Sequence, residues 1–287
     1  MKRAVLRWHG GKLKLSAWII AHFPAHRIYV ETHGGGGSVL HSKPRVYSEV
    51  YNDIDGDVVN LFRVLRDPCH AQELAGMLRL TPYAREEFVA AYEPSGDPVE
   101  SARRLIVRSL MGFGSASANR EYVTGFRSNA NRSGTTPAHD WMSYPDALEA
   151  FTARLQGVVI ENRDAVQVIE TFDRPDALFY VDPPYVSATR SSPRGAKGQG
   201  CYKHEMTDDD HRRLADALRN AEGAVVLSGY QSELYDEMYA GWKTSSKTSY
   251  GSGNAGACKR IETLWLNERA ANGIQHVMEL DNRANLD

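Results

Sequence analysis

The sequence predicts an α/β fold with a mostly parallel sheet, interrupted by a mainly helical insertion. Three observations support this prediction. Short apolar runs of strand type alternate with segments of helical spacing, as in parallel sheets. The first such run enters four glycines at residues 34–37, and a helical pattern follows them. Between about residues 67 and 156 the strand-type runs stop and helical spacing predominates.

Two strands are predicted in the N-terminal part of the chain. Residues 28–31 are β-prone and lead into the glycines, after which residues 39–41 begin a helix. Residues 46–53 form a second strand that ends in Asp53, and residues 57–65 then carry apolar side chains at helical spacing. An acid in this position commonly binds ribose hydroxyls, although a lone acid is more often a helix cap.

The insertion is predicted from a change of pattern. Residues 69–112 look helical, whereas residues 112–140 lose periodicity and become rich in Gly, Ser, Asn and Arg. A loop of that length in a compact protein is usually functional or mobile. We therefore expect a sheet domain formed by residues 1–66 and 157–287, which a mainly helical insertion at residues 67–156 divides.

Strand patterns return after the insertion. Four apolar runs predict strands at residues 158–160, 177–181, 224–228 and 261–266. A helix is predicted to begin after Thr207, where three consecutive aspartates would lie at its positive end.

Composition excludes several classes of protein. The chain has 287 residues, of which 42% are hydrophobic and 24% charged, as in soluble globular proteins. No apolar run approaches the ~20 residues of a membrane span, and no apolar region follows the basic N-terminus as in a signal peptide. The three cysteines are far apart, so neither a disulfide framework nor a structural zinc site is expected. We expect a cytoplasmic protein that uses no metal and contacts no membrane.

The sharpest motif is Asp182-Pro183-Pro184-Tyr185, directly after the strand at residues 177–181. Prolines cannot continue a strand ladder, so they form a stiff turn at the carboxyl end of the strand, where open α/β sheets bind ligands. The carboxylate and the proline carbonyl oxygens are acceptors, and the tyrosine ring is a stacking surface. The motif therefore suits a planar group that bears an amine.

The motifs together resemble those of the Dam-type DNA adenine methyltransferases of the α-order class. In that family W-x-G-G-K comes first, followed by F-x-G-x-G, the target-recognition insertion and D-P-P-Y. The corresponding segments here are Trp8-His9-Gly10-Gly11-Lys12, His33 to Gly37, residues 67–156, and Asp182 to Tyr185. The resemblance covers about residues 1–66 and 157–270. It implies the Rossmann-like sheet of S-adenosylmethionine-dependent methyltransferases.

The resemblance also implies roles for individual residues. The residues implied to bind S-adenosylmethionine are Trp8, Lys12, Gly35, Gly37, Asp53, Asp164 and Asp182. The catalytic residues implied are Asp182, Pro183, Pro184 and Tyr185. Asp182 and the Pro183 carbonyl would hold the target amino group, and Tyr185 would stack on the flipped base. One departure is Thr32-His33, where the family has Pro-Phe; a tolerated substitution and a tuning role for the imidazole are the two alternatives.

Local charge favours a nucleic-acid partner, although the whole chain has 34 basic and 36 acidic residues. Residues 101–134 carry six arginines against one acid, and residues 186–206 carry four basic residues against one acid. These segments flank the proline turn and predict a phosphate-contacting face; the alternative is a solvated arginine-rich loop. The DNA contacts predicted are Arg120, Tyr122, Phe126, Arg127, Asn129, Arg132, Arg190, Arg194 and Lys197.

These observations predict a site-specific adenine methyltransferase that acts on double-stranded DNA as a monomer or weak dimer. A solitary methylase, bacterial or phage-borne, is favoured over a restriction–modification fusion. The alternatives are a cytosine amino-group methyltransferase, an RNA adenine methyltransferase and a catalytically silenced DNA-binding protein. A nicotinamide-dependent oxidoreductase would account for the glycines and Asp53 but not for the proline turn.

Overall fold

A seven-stranded sheet forms the centre of the structure. The computed structural model describes residues 3–114, 116–128, 134–189, 202–253 and 256–273. The strands in chain order are β1 (Ile28–Glu31), β2 (Ser48–Asn52), β3 (Val158–Glu161), β4 (Ala177–Val181), β5 (Ala224–Gly229), β6 (Lys243–Gly253) and β7 (Gly256–Leu266). Their spatial order is β3-β2-β1-β4-β5-β7-β6. Strands β1 to β5 are parallel, and β7 is antiparallel to both of its neighbours.

Helices pack on both faces of the sheet. They are α1 (Ser16–Ile20), α2 (Ser38–Ser42), α3 (Gly56–Arg66), α4 (Pro68–Leu80), α5 (Arg85–Ala90), α6 (Pro98–Met111), α7 (Pro137–Met142), α8 (Leu148–Leu155), α9 (Ala165–Phe172), α10 (Asp208–Asn220) and α11 (Glu233–Met238). Alternate strand residues face opposite sides, so Leu178 joins the core beneath α3 while Phe179 joins the core beneath α9 and α10. The predicted α/β fold with a parallel sheet is confirmed.

The turn between β1 and α2 requires glycine. Gly35 and Gly37 have φ angles of 48° and 60°, in the left-handed region that glycine adopts without strain. A Cβ on Gly34 would lie 2.1 Å from the ring of Tyr51 on β2. The glycines therefore allow the chain to pass close to the neighbouring strand and to enter α2 directly.

Residues 67–156 are mainly helical where the structure describes them, and they pack against the sheet. Two of its helices begin with the pair Asp-Pro: Asp67 caps α4 and Asp97 caps α6 through backbone amides. Buried residues of α4, α6 and α8 belong to the same core as α3 and one face of the sheet. On α8, Arg154 forms an ion pair with Glu49 of β2 at 2.7 Å. The division of the chain into two domains stays a prediction.

The C-terminal hairpin is longer than the sequence indicates. The predicted last strand at residues 261–266 is the end of β7, which begins at Gly256 and pairs with β6 from Lys243↔Leu266 to Gly253↔Gly256. The β6 segment has the sequence KTSSKTSYGSG, which lacks the alternation of apolar and polar residues that predicts strands. It is an edge strand that needs only one partner. In the described part of the chain, no helix has the length and hydropathy of a membrane span.

Candidate active site

The proline turn lies at the carboxyl edge of the sheet, between two other strand ends. Asp182 directly follows β4, which pairs with β1 on one side and β5 on the other. The strand order changes direction between β1 and β4, and ligands of doubly wound sheets bind at such a switch point. The topology therefore places the glycine turn and the proline turn side by side.

Asp182 is held by an ammonium and a hydroxyl. The Nζ atom of Lys12 donates to both of its carboxylate oxygens at 2.8 Å, and Ser228 Oγ donates to Oδ1 at 2.9 Å. Lys12 is only 4% exposed and also donates to the Gly10 carbonyl. Burial would lower the pKa of Lys12, but Asp182 and Glu262 outweigh it and the pKa is raised. Lys12 is therefore a charged, buried partner of the Asp182 carboxylate.

Tyr185 is buried and its phenol is fixed by Glu262. The Tyr185 hydroxyl donates to Glu262 Oε1, and the ring meets Tyr230 edge-on at 4.5 Å between centroids. The Lys12 ammonium lies 4.8 Å from the centre of the Tyr185 ring. Burial raises the pKa of Glu262, and the nearby Lys12 opposes that shift. The second acid at this site was not predicted from the sequence.

Three residues of this cluster lie outside the sequence predictions, namely Ser228, Tyr230 and Glu262. Ser228 lies in β5, which the apolar run at residues 224–228 predicted, and Tyr230 directly follows that strand. The sequence signal that could have identified Glu262 is its charge within an otherwise apolar stretch, because buried strands seldom carry a charged side chain. Pairing of β7 with β5 brings it to the site, and pairing is not readable from local sequence.

The glycine turn borders a pocket of about 700 Å³. Its lining includes the predicted residues Trp8, Lys12, Gly35, Asp53 and Asp182. The Trp8 indole lies over the turn, since a Cβ on Gly35 would be 2.4 Å from its Nε1. Asp53 accepts from the Gly35 amide at 2.7 Å and from the Asp55 amide at 2.8 Å. Burial raises the pKa of Asp53 to about 6.

Gly37 shapes the turn without lining this pocket. It is the N-cap residue of α2, and a Cβ there would lie 3.0 Å from both His41 and Phe62. Glycine at this position therefore lets α2 begin where a larger side chain would clash with buried residues.

A second pocket, of about 980 Å³, continues past the ends of β1 and β2. Asp164 lines it, caps α9 through the Val166 amide and forms an ion pair with Arg213 at 2.6 Å. The Arg213 hydrogen bond lowers the pKa of Asp164. His33 lines both pockets, and burial lowers its pKa to about 4, so its imidazole is neutral near pH 7.

The predicted DNA contacts are only partly described by the structure. Arg120, Tyr122 and Arg127 are half-buried on the insertion. Phe126 is half-buried and packs against Tyr83 and Phe88, at 5.2 and 5.8 Å between ring centroids, so its ring contributes to the packing of the insertion. The residues that lie outside the described part are Asn129, Arg132, Arg190, Arg194 and Lys197.

Several arginines of the predicted basic face serve the fold instead. Arg103 and Arg104 pair with Glu100 at 2.6 Å, and Arg108 is buried and donates to the Ala91 carbonyl. Lys203 likewise pairs with Asp55 at 2.8 Å. The local excess of positive charge that faces solvent is therefore smaller than the count over residues 101–134 indicates.

The chain is similar to known proteins in sequence and in fold. The family of D12 class N6 adenine-specific DNA methyltransferases matches residues 8–250. No curated protein matches. Solved structures with similarity include a precorrin 8w decarboxylase of Methanobacterium thermoautotrophicum (10% identity, 88% of each chain, TM-score 0.34) and an rRNA methylase of Streptococcus thermophilus (8% identity, 89% of this chain and 96% of that chain, TM-score 0.34). At that TM-score these two similarities support no conclusion about this chain.

Proposed function

This chain belongs to the D12 class N6 adenine-specific DNA methyltransferase family, and we propose that it methylates adenine flipped out of double-stranded DNA, with S-adenosylmethionine as donor. The family supports adenine-specific DNA methylation, which disfavours cytosine and RNA as targets. The observation that carries the detailed proposal is the juxtaposition of Asp182 and Tyr185 with the pocket under the glycine turn. An oxidoreductase site would leave this juxtaposition unexplained.

The two pockets fit the proposed cofactor by their donor set, which combines carboxylates, an indole and the backbone of the glycine turn. Asp53 would hold the ribose hydroxyls, Trp8 and the glycine turn would cover the methionine part, and the second pocket, which Asp164 lines, would take the adenine. When bound, S-adenosylmethionine supplies an electrophilic methyl group.

The catalytic residues would act by positioning and electrostatics. The adenine amino nitrogen is a poor nucleophile because its lone pair is delocalised into the ring. Acceptors at Asp182 and the Pro183 carbonyl would hydrogen-bond its protons and localise that lone pair towards the methyl group. Tyr185 would stack on the base and offset part of the few kcal/mol that unpairing requires. These roles need neither a metal nor a covalent intermediate.

The departure at Thr32-His33 is compatible with this function. The Thr32 hydroxyl lies 2.9 Å from His33 Nδ1, and the neutral imidazole adds no charge to the pocket. A silenced site is disfavoured because Asp182, Tyr185 and the glycine turn are all present and in contact with ordered partners.

The proposal is tested by methylation of DNA with labelled S-adenosylmethionine, followed by nucleoside analysis and modification-sensitive sequencing. We expect label in N6-methyl-2′-deoxyadenosine at a defined short motif. Asp182→Ala should abolish transfer while largely sparing DNA binding, because it removes an acceptor and not a phosphate contact. Asp216→Ala, on the exposed side of α10, is the matched control. Label in cytosine, or full activity of D182A, would contradict the proposal.

A further inference from the structure

Glu262 lies among the catalytic residues, yet none of the roles above uses its charge. Strand β7 is antiparallel to β5, and their last pair is Gly229↔Thr263. Glu262 therefore lies just beyond that pair, at the edge of the sheet where β4 and β5 end. It is 4% exposed. A buried carboxylate is unfavourable unless charged or hydrogen-bonding groups surround it, so its partners show what it does.

Both partners of Glu262 belong to the catalytic machinery. Its Oε1 accepts from the Tyr185 hydroxyl and lies 3.7 Å from Lys12 Nζ. The same ammonium is 2.8 Å from both oxygens of Asp182. Two carboxylates thus share one lysine, which lies within hydrogen-bond distance of Asp182 but not of Glu262.

This arrangement leaves Asp182 little acceptor capacity while Lys12 stays in place. A carboxylate has about four lone-pair sites, and Lys12 and Ser228 already donate to three of them. A shift of Lys12 would therefore strengthen the hydrogen bond that Asp182 accepts from the target amino group. An ammonium that leaves one buried carboxylate needs another close by, because an unpaired buried charge is strongly unfavourable. Glu262 is the acid that Lys12 already faces, and closing the 3.7 Å gap to hydrogen-bond length is a small movement of a flexible side chain.

We propose that Glu262 is a positioning residue for methyl transfer: it fixes the Tyr185 phenol and accepts the Lys12 ammonium while Asp182 engages the target amino group. The inference rests on the proposed function. Glu262 forms and breaks no covalent bond and exchanges no proton with the substrate; it acts through Tyr185 and Lys12. Its negative charge is essential to the second role, whereas any acceptor would serve the first.

The test compares Glu262→Gln with Thr263→Val in the full-length enzyme. Gln keeps an oxygen for the Tyr185 hydroxyl and removes the charge that faces Lys12. Thr263 is the next buried residue of β7, and its hydroxyl contacts Ser246 on β6, so its replacement controls for damage to the strand. The measurements are the single-turnover rate on plasmid DNA, the DNA concentration at half-maximal rate, the dissociation constant for S-adenosylmethionine and the melting temperature.

We expect E262Q to lower the single-turnover rate by about 10- to 100-fold, the range for a lost hydrogen bond to a charged group. Half-maximal DNA concentration, cofactor affinity and melting temperature should stay close to those of T263V. Tyr185→Phe keeps the ring and removes the donor to Glu262; it should lower the rate about tenfold and, combined with E262Q, lose less than the sum of the two effects.

Three outcomes would overturn the inference. One is an E262Q rate within about threefold of T263V, and another is a loss of rate matched by equal losses of cofactor affinity and melting temperature, which would mark a structural role. The third outcome applies if E262Q does not fold: a wild-type rate in Y185F would then overturn the inference. A wild-type enzyme that methylates adenine keeps the proposed function intact in each case, whereas a wild type that transfers no methyl group to DNA would overturn both.

Discussion

Hydrogen bonds of individual side chains connect the parts of this site. Asp53 is the clearest example. Its two oxygens accept from the amides of Gly35 and Asp55, so the side chain links the glycine turn to the start of α3. Burial nevertheless raises its pKa to about 6, within reach of ordinary assay conditions.

The pKa of Asp53 predicts a pH dependence of cofactor binding. The ionised carboxylate is the better acceptor for ribose hydroxyls, so affinity for S-adenosylmethionine should fall as the pH drops below about 6. The sign for stability is opposite: an acid whose folded pKa is raised contributes stability at low pH that is lost as pH rises through about 6.

Calorimetric titration with S-adenosylmethionine between pH 5 and 8 measures this effect. Asp53→Asn should bind more weakly than the wild type at pH 8 and lose most of the decline below pH 6. The matched control is Asp216→Asn, which should behave like the wild type. If cofactor affinity in D53N still depends on pH as it does in the wild type, a group other than Asp53 causes that dependence.

At the level of secondary structure, α8 links the insertion to the sheet. Arg154 near its C-terminus donates to both oxygens of Glu49 on β2 and to the Leu40 carbonyl of α2. Lys43 donates to the same carboxylate at 2.7 Å. Glu49 and Lys43 are buried, and Arg154 keeps about a tenth of its side-chain surface. One buried acid thus joins a helix of the insertion to an interior strand.

Removing this arginine should destabilise the whole protein. Arg154→Ala leaves Glu49 with one cation in place of two, and breaking a buried ion pair typically reduces the free energy of unfolding by about 3–5 kcal/mol. Urea denaturation would measure this loss. Arg219→Ala, which removes an exposed pair with Asp216, should reduce it by less than about 1 kcal/mol. A loss that small for R154A would show that Lys43 alone satisfies Glu49.

For the whole molecule, the distribution of charge determines which surface can bind DNA. The formal net charge is −2, so binding must depend on a local positive face and not on the overall field. Arg103 and Arg104 form ion pairs within the protein. Among the described arginines of the insertion, Arg120 and Arg127 are the two for which we propose a DNA contact, and both are half-buried.

The proposed role of Arg127 predicts a change in salt dependence. If its guanidinium meets a phosphate, Arg127→Ala should weaken DNA binding and reduce the slope of log affinity against log salt by about 0.9. Binding of duplex DNA at several salt concentrations tests this, with R219A in the last turn of α10 as control. A slope equal to that of R219A would remove Arg127 from the phosphate contacts.

Much of the fold could be predicted because its signals are local. The strand at residues 177–181 and the glycine turn depend on the conformational limits of the residues themselves. The two prolines at residues 183 and 184 also predicted that the preceding strand ends there. Edge strand β6 could not be predicted, since its polar sequence becomes a strand only through its pairing with β7.

The amino-acid sequence was sufficient for the α/β class, the glycine and proline turns, and the family to which the chain belongs. It left open which side chains meet. The partnership of Lys12 with Asp182 and Glu262 joins residues up to 250 positions apart, and the antiparallel insertion of β7 beside β5 brings the last of them to the site. Likewise, whether an arginine faces solvent or an acid depends on helix packing. Such contacts arise from chain topology, which local sequence patterns do not encode.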